Sequence, residues 1–312
     1  MTVMRSDIEA AAERIHPHLH RTPIVTSATL DRELDARVFA KAENLQRIGA
    51  FKARGATNAV LQLPDDTTGV TTHSSGNHGQ ALAFAASLRN LPAWIVMPET
   101  ANPLKIAAVR GYGAEVVFCK PEEREQTAQR IRDQTGAVLV HPFDDERVIA
   151  GQGTAALELM EEVGDLDFIV TPIGGGGLLS GTAIAAEGRP GITVLGAEPF
   201  AVDDAHHSLT SGTLQPGVAN PDTVADGLVV GMGAIPFDIL STRGIEIIRV
   251  EEDEIVEAAG FFLERMKLVV EPSAATVLAA IRRDRQRFVD RRVGLIISGG
   301  NTDLSWYRPS VE

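Results

Sequence analysis

A chain of 312 residues with 44% apolar and 23% charged side chains can bury a sizeable core, as one large domain or two smaller ones. Its formal charge of −13 argues against a nucleic-acid partner, which would need clustered Lys and Arg. No run nears the roughly 20 apolar residues of a membrane helix, the stretch Met1–Glu9 lacks the apolar centre of a signal peptide, and the lone Cys119 cannot form an internal disulfide, so a cytoplasmic protein is expected.

In chain order, Ser6-Asp7-Ile8-Glu9 reads as a capping box that opens a helix through about residue 15. Strand 36–40 precedes helix 52–63, and strand 69–72 precedes helix 78–89. Strands 93–97 and 114–119 alternate with helices 104–112 and 122–135. Strand 137–140, helix 154–162, strand 168–172 and helix 177–186 follow. The chain closes with strands 193–197 and 245–250, helices 252–266 and 274–283, and strand 293–298. Such alternation predicts an α/β fold of parallel sheets flanked by helices. No internal repeat or low-complexity linker interrupts it, and Glu122–Arg132 reads as a solvated helix face.

Four segments suggest chemistry. Gly174, Gly175, Gly176 and Gly177 sit between an apolar run and a helical pattern that starts at Leu178. Side-chain-free backbone at a helix start is a phosphate cradle. The run is neither a P-loop nor a dinucleotide fingerprint, since Leu179 stands where the latter needs Gly or Ala. Ser74-Ser75-Gly76-Asn77-His78, at another strand end, reads equally as a carboxylate-binding loop or a polar helix cap. Ser298-Gly299-Gly300-Asn301 suits close approach to a flat ligand and equally an ordinary glycine turn. Lys52, beside Phe51, would be nucleophilic if desolvated; taken alone it reads as a surface lysine opening a helix.

Taken together and in this order, these segments resemble the fold-type II pyridoxal 5′-phosphate family of serine/threonine dehydratases and serine racemases. The resemblance runs nearly end to end, through Arg21-Thr22-Pro23, Lys41-Ala-Glu-Asn-Leu-Gln, Gly113-Ala-Glu-Val-Val, Ala150-Gly-Gln-Gly-Thr, Ala225-Asp-Gly and Glu271-Pro-Ser. It implies a two-domain architecture like the tryptophan synthase β chain. Residues 1–68 and 146–312 would form the large domain and 69–145 the small one, with the cofactor between them in a homodimer or homotetramer. It implies that Lys52 carries the cofactor as a Schiff base and Phe51 packs on the ring. Asn77 would bond the phenolic oxygen, Gly174 to Gly177 with Leu178 would hold the phosphate, and Ser298 would meet the pyridine nitrogen. Ser74, Ser75, Gly76, Asn77 and His78 would receive the substrate carboxylate, and Ser75 matches the second acid/base of the racemases. Ala50 departs from the Ser of many members, which removes one hydroxyl near the phosphate.

A neutral serine at the pyridine nitrogen cannot keep it protonated as a carboxylate would, which favours β-elimination over transamination. The expected reaction is dehydration of a β-hydroxy amino acid such as L-threonine or L-serine to a 2-oxo acid and ammonia. Serine racemase, 3-hydroxyaspartate dehydratase and a hydroxyectoine-catabolism lyase are the alternatives on the same cofactor, and a phosphate-ligand sensor is the alternative without catalysis. The family segment also implies Mg²⁺ or Ca²⁺ on Glu198, the Val202 carbonyl and Asp204, against the plainer reading of a solvated acidic loop. A chain ending at Glu312 leaves no room for the regulatory domain of allosteric threonine dehydratases. Plainer readings serve the other residues: His16, His18 and His20 in a helix-exit loop, His206-His207 in a surface loop, Cys119 a core thiol, and Phe261, Phe262 and Met266 core packing. Glu271-Pro272 reads either as a turn or as an approach to the cofactor.

Overall fold

The computed structural model describes residues 3–74, 76–101 and 103–307, so Ser75 lies outside the described residues. Among the described residues ten strands form two sheets: β1 (Ile24–Val25), β2 (Arg37–Ala42), β3 (Val70–His73), β4 (Ala93–Pro98), β5 (Glu115–Cys119), β6 (Val138–Leu139), β7 (Phe168–Pro172), β8 (Thr193–Pro199), β9 (Glu246–Val250) and β10 (Arg292–Ile297). The larger sheet runs β1-β2-β10-β7-β8-β9 and the smaller β5-β4-β3-β6. Every pairing is parallel except β1 with β2. Parallel strands covered on both faces must be apolar throughout, and β10, with Val293, Leu295, Ile296 and Ile297 all buried, shows why such runs are legible.

Several elements differ from expectation. The first helix, Arg5–Ile15, starts one residue before Ser6, and the reciprocal cap is the Asp7 carboxylate on the Met4 N–H at 2.8 Å. His206 and His207 lie within a helix, Asp204–Ser211, not in a loop. The helix expected over 154–162 spans Glu146–Val163. Its first half contains Gly151 and Gly153, poor helix formers that serve close packing instead. A Cβ on Gly151 would stand 2.6 Å from the Gly55 Cα, and one on Gly153 would stand 2.7 Å from the Gly181 carbonyl oxygen. The long helix therefore meets two others, Lys52–Val60 and Gly177–Ala185, backbone against backbone. Those two helices carry Lys52 and the tetraglycine turn.

Candidate active site

Lys52 opens its helix at the carboxyl end of β10. A bridge joins Ala50 to Gly299, and the Phe51 N–H donates to the Ser298 carbonyl at 2.9 Å, so the lysine and the Ser298 segment are tied together. Ser74 extends the β3–β4 ladder through its N–H to the Val96 carbonyl, at 3.1 Å, and the helix Asn77–Ser87 starts directly beyond. The tetraglycine follows β7. All these segments leave the carboxyl ends of parallel strands, where open α/β sheets bind ligands. They line one cavity of about 810 Å³, together with Phe51, His78, Leu178, Ser298 and Glu271. Every described member of the expected cofactor and carboxylate set thus meets in one place.

The Lys52 amine donates to the Pro142 carbonyl at 2.7 Å and stands 5.2 Å from the Phe51 ring centroid. Burial lowers its ammonium to about 8, against the opposing pull of the Glu271 carboxylate. Glu271 caps the helix Pro272–Arg283 and is itself buried, which pushes its carboxyl up to about 7 despite hydrogen bonds from Asn77. Asn77 Nδ2 reaches both Glu271 oxygens at 2.9 and 3.1 Å, while Asn77 Oδ1 accepts from Asn301 Nδ2 at 2.8 Å. The Asn77 amide is therefore fixed in rotation. Ser298 is buried at the cavity wall. His78 donates through Nε2 to the Val140 carbonyl at 3.0 Å, and burial holds it well below the usual imidazole range, so its side chain adds no charge.

The turn before the helix Gly177–Ala185 fits a phosphate. Gly176 occupies φ +89°, offers no side chain to cap the first N–H groups, and its absent Cβ would lie 2.6 Å from Pro236 Cβ. A Cβ on Gly175 would collide with the Phe143 ring. Free N–H groups at a helix start, with the helix dipole behind them, favour an anion. An amine that can be neutral near pH 8 stands in the same cavity. These residues fit pyridoxal phosphate.

The Glu198 and Asp204 carboxylates are both buried. Glu198 accepts the Ala205 and His206 N–H groups at 3.1 and 2.9 Å, and Asp204 accepts the Met232 N–H at 3.1 Å. Burial nevertheless raises Glu198 to about 9 and Asp204 to about 6. Val202, in the turn between them, is buried too. Among the described residues no three His, Cys, Asp or Glu side chains converge as metal ligands, so only these two carboxylates, with carbonyl oxygens, are available here.

Sequence reasoning leaves Glu271 open between a turn and a cofactor contact, includes Asn301 in the Ser298 segment without giving it a role, and misses His141 and Phe143. Glu271 carries a signal in Glu271-Pro-Ser. The others reach the site from across the fold, and spacing gives no sign of that. Cys119 is buried, as expected. Among the described residues no helix is long and apolar enough to cross a membrane.

A family profile described as pyridoxal-phosphate dependent enzyme matches residues 15–299. The chain is 48% identical to a serine racemase of Dictyostelium discoideum, over 97% of this chain and 96% of that one. It is 46% identical to a β-hydroxyaspartate dehydratase of Paracoccus denitrificans, over 96% of each. A solved T.th. threonine deaminase superposes with a TM-score of 0.93 at 43% identity, over 98% of this chain and 100% of that one. With a matching profile over most of its length and relatives this similar end to end, the chain belongs to the pyridoxal-phosphate dependent enzyme family.

Proposed function

We propose that this enzyme eliminates water from a β-hydroxy amino acid, such as L-threonine or L-serine, and that the resulting enamine takes water back as it releases ammonia, leaving a 2-oxo acid. The observation that carries the reading is the desolvated Lys52 amine in one cavity with the uncapped tetraglycine turn. When bound, pyridoxal phosphate supplies a sink for the electrons left behind as the α-proton departs. Lys52 would hold the cofactor, and its amine is the base that would accept that proton. Gly174 to Gly177 and the Leu178 N–H grip the phosphate. Asn77, fixed by Glu271 and Asn301, would hold the ring oxygen, and Phe51 would pack on the ring. Ser298 would offer the ring nitrogen a hydroxyl in place of a carboxylate, which would favour expulsion of the β-hydroxyl. Ser74, Gly76, Asn77 and the His78 backbone would receive the α-carboxylate, and Ser75, by its match to the racemases, would serve as the second acid/base.

A second reading, a 3-hydroxyaspartate ammonia-lyase, has its own support. Arg124 lines the same cavity, and its guanidinium has no ion-pair partner among the described residues. A substrate with a second carboxylate would give it one. Racemisation of serine is a further outcome on the same residues. Incubation with L-Thr, L-Ser, D-Ser and threo-3-hydroxyaspartate, scoring 2-oxo acid and chirality separately, ranks the three. Turnover of threo-3-hydroxyaspartate alone would replace the leading reading.

The proposal includes Mg²⁺ or Ca²⁺ on Glu198, the Val202 carbonyl and Asp204. Two buried carboxyls, both raised by burial and Glu198 with no ion pair among the described residues, are donors that a hard cation would hold ionised.

A further inference from the structure

The segment between β6 and the helix Glu146–Val163 reaches the reactive amine, since the Pro142 carbonyl accepts from Lys52. The residue before it, His141, is held on three sides. Its ring stands edge-on to Phe143, with centroids 4.7 Å apart and planes at 88°, and edge-on to His73 at 5.9 Å and 78°. Its Nδ1 accepts the Asp144 N–H at 2.9 Å, with the Phe143 N–H at 3.5 Å. A nitrogen that accepts an N–H carries no proton of its own. Burial lowers the imidazolium to about 4, helped by His73 and Lys52 and opposed by Asp144 and Asp145. At neutral pH the ring is uncharged, and its one proton sits on Nε2. That atom has no protein partner among the described residues and is not sealed from solvent, and the ring lines the cavity that holds Lys52.

Such a ring has its plane, charge state and tautomer set before any ligand arrives. A preorganised donor loses little when it bonds, which is what makes it selective. Its neutrality matters as well. A cation beside Lys52 would compete for the substrate's α-carboxylate and turn the substrate round, whereas an uncharged N–H favours a hydroxyl without attracting the carboxylate strongly.

We infer that His141 is a specificity-determining residue: a fixed, neutral hydrogen-bond donor to the oxygen on the β-carbon of the substrate. The inference rests on the β-hydroxy amino acid reading given above. His141 transfers no proton in this role, because a neutral imidazole N–H is far too weak an acid to release one near pH 7. It positions the hydroxyl that leaves.

The same ring also caps the turn at Phe143 and Asp144, and the test separates the two roles. In His141→Asn the side-chain oxygen replaces Nδ1 as acceptor for the Asp144 N–H, but nothing reaches as far as Nε2. In His141→Gln the amide nitrogen reaches as Nε2 does, and the turn loses its acceptor. Both variants are assayed as cofactor-loaded enzymes on the preferred β-hydroxy amino acid and on β-chloro-L-alanine, whose chloride leaves without a hydrogen bond of this kind. His141→Asn is expected to lower kcat/KM on the hydroxy substrate roughly 10- to 100-fold more than on β-chloro-L-alanine. His141→Gln is expected to recover most of that discrimination. Equal losses on both substrates, or a glutamine variant worse than the asparagine one, would assign His141 to turn structure alone and overturn the inference. A wild-type enzyme inactive on every β-hydroxy amino acid would instead bring down the parent reading, and this inference with it.

Discussion

An ammonium that titrates near 8 is in part a free amine at physiological pH, and Lys52 reaches that state through burial alone, since Glu271 works against it. The sign follows directly. The neutral amine is the nucleophile, so the rate at which cofactor-free protein takes up pyridoxal phosphate should rise with pH and level off above about 8, read from the absorbance of the loaded lysine. A rise that continues well past that point would mean that the amine is not desolvated. Two positions along, Arg54 is fully buried and forked on two carboxylates, Glu43 at 2.7 and 2.8 Å and Glu158 at 2.7 and 2.9 Å. Lys41, also fully buried, bonds Glu158 at 2.6 Å. Removing one member of such a set leaves a buried charge uncompensated, so Arg54→Met should cost about 3–5 kcal/mol in denaturant unfolding. A loss below about 1 kcal/mol would show that Glu43 finds a new partner or takes up a proton.

The helix Glu146–Val163 is the common support of the site. It touches the Lys52 helix at Gly55 and Gly151, and the phosphate-turn helix at Gly153 and Gly181. A methyl group at Gly151 has no room, and overpacking of this kind costs about 1–3 kcal/mol. Gly151→Ala should therefore lower the unfolding midpoint and also weaken cofactor retention on dialysis, because the strain falls on the Lys52 helix. Lost stability with unchanged retention would place the relaxation elsewhere. This helix also marks where sequence reading runs short. Its glycines break the helical pattern that its packing requires, so only its second half is legible. The expected strands, by contrast, all appear within a few residues, because parallel strands covered on both faces are apolar throughout, and even the part-exposed edge strand β5 keeps an apolar run. Only the two-residue β1 escapes among the strands. The helices Ala28–Leu34 and Ala234–Thr242 escape as well, the first too brief to show a period and the second carrying Pro236 in its first turn and little polar contrast. Motifs that carry their own geometry, such as Gly174 to Gly177, can be read directly. Glu271 and Asn301 reach Asn77 over sequence separations of 194 and 224 residues, which no local pattern encodes.

At the scale of the molecule, the first and last long strands, β2 and β10, lie side by side in the larger sheet, while the smaller sheet uses only residues between 70 and 139. The cavity draws on both, so catalysis depends on segments that only the complete fold brings together. The carboxyl end of β8 is where pH and a cation should act on stability. Glu198 has a folded pKa raised to about 9, so the folded state holds a proton that the unfolded chain releases near 4.5. Between these values the unfolded state binds fewer protons, and the contribution of Glu198 to stability falls as pH rises. A cation that displaces this proton gains as pH rises. Added Mg²⁺ or Ca²⁺ should therefore raise Tm more at about pH 8 than at about pH 6, and Glu198→Gln should abolish the response. A cation effect that is independent of pH, or unchanged in Glu198→Gln, would argue against the site. The most direct measurement for the whole account is borohydride reduction of the purified, cofactor-loaded protein followed by peptide mass mapping. The account predicts a pyridoxyl group on Lys52 and nowhere else. A modified peptide containing a different lysine, or no modified peptide at all, would contradict it.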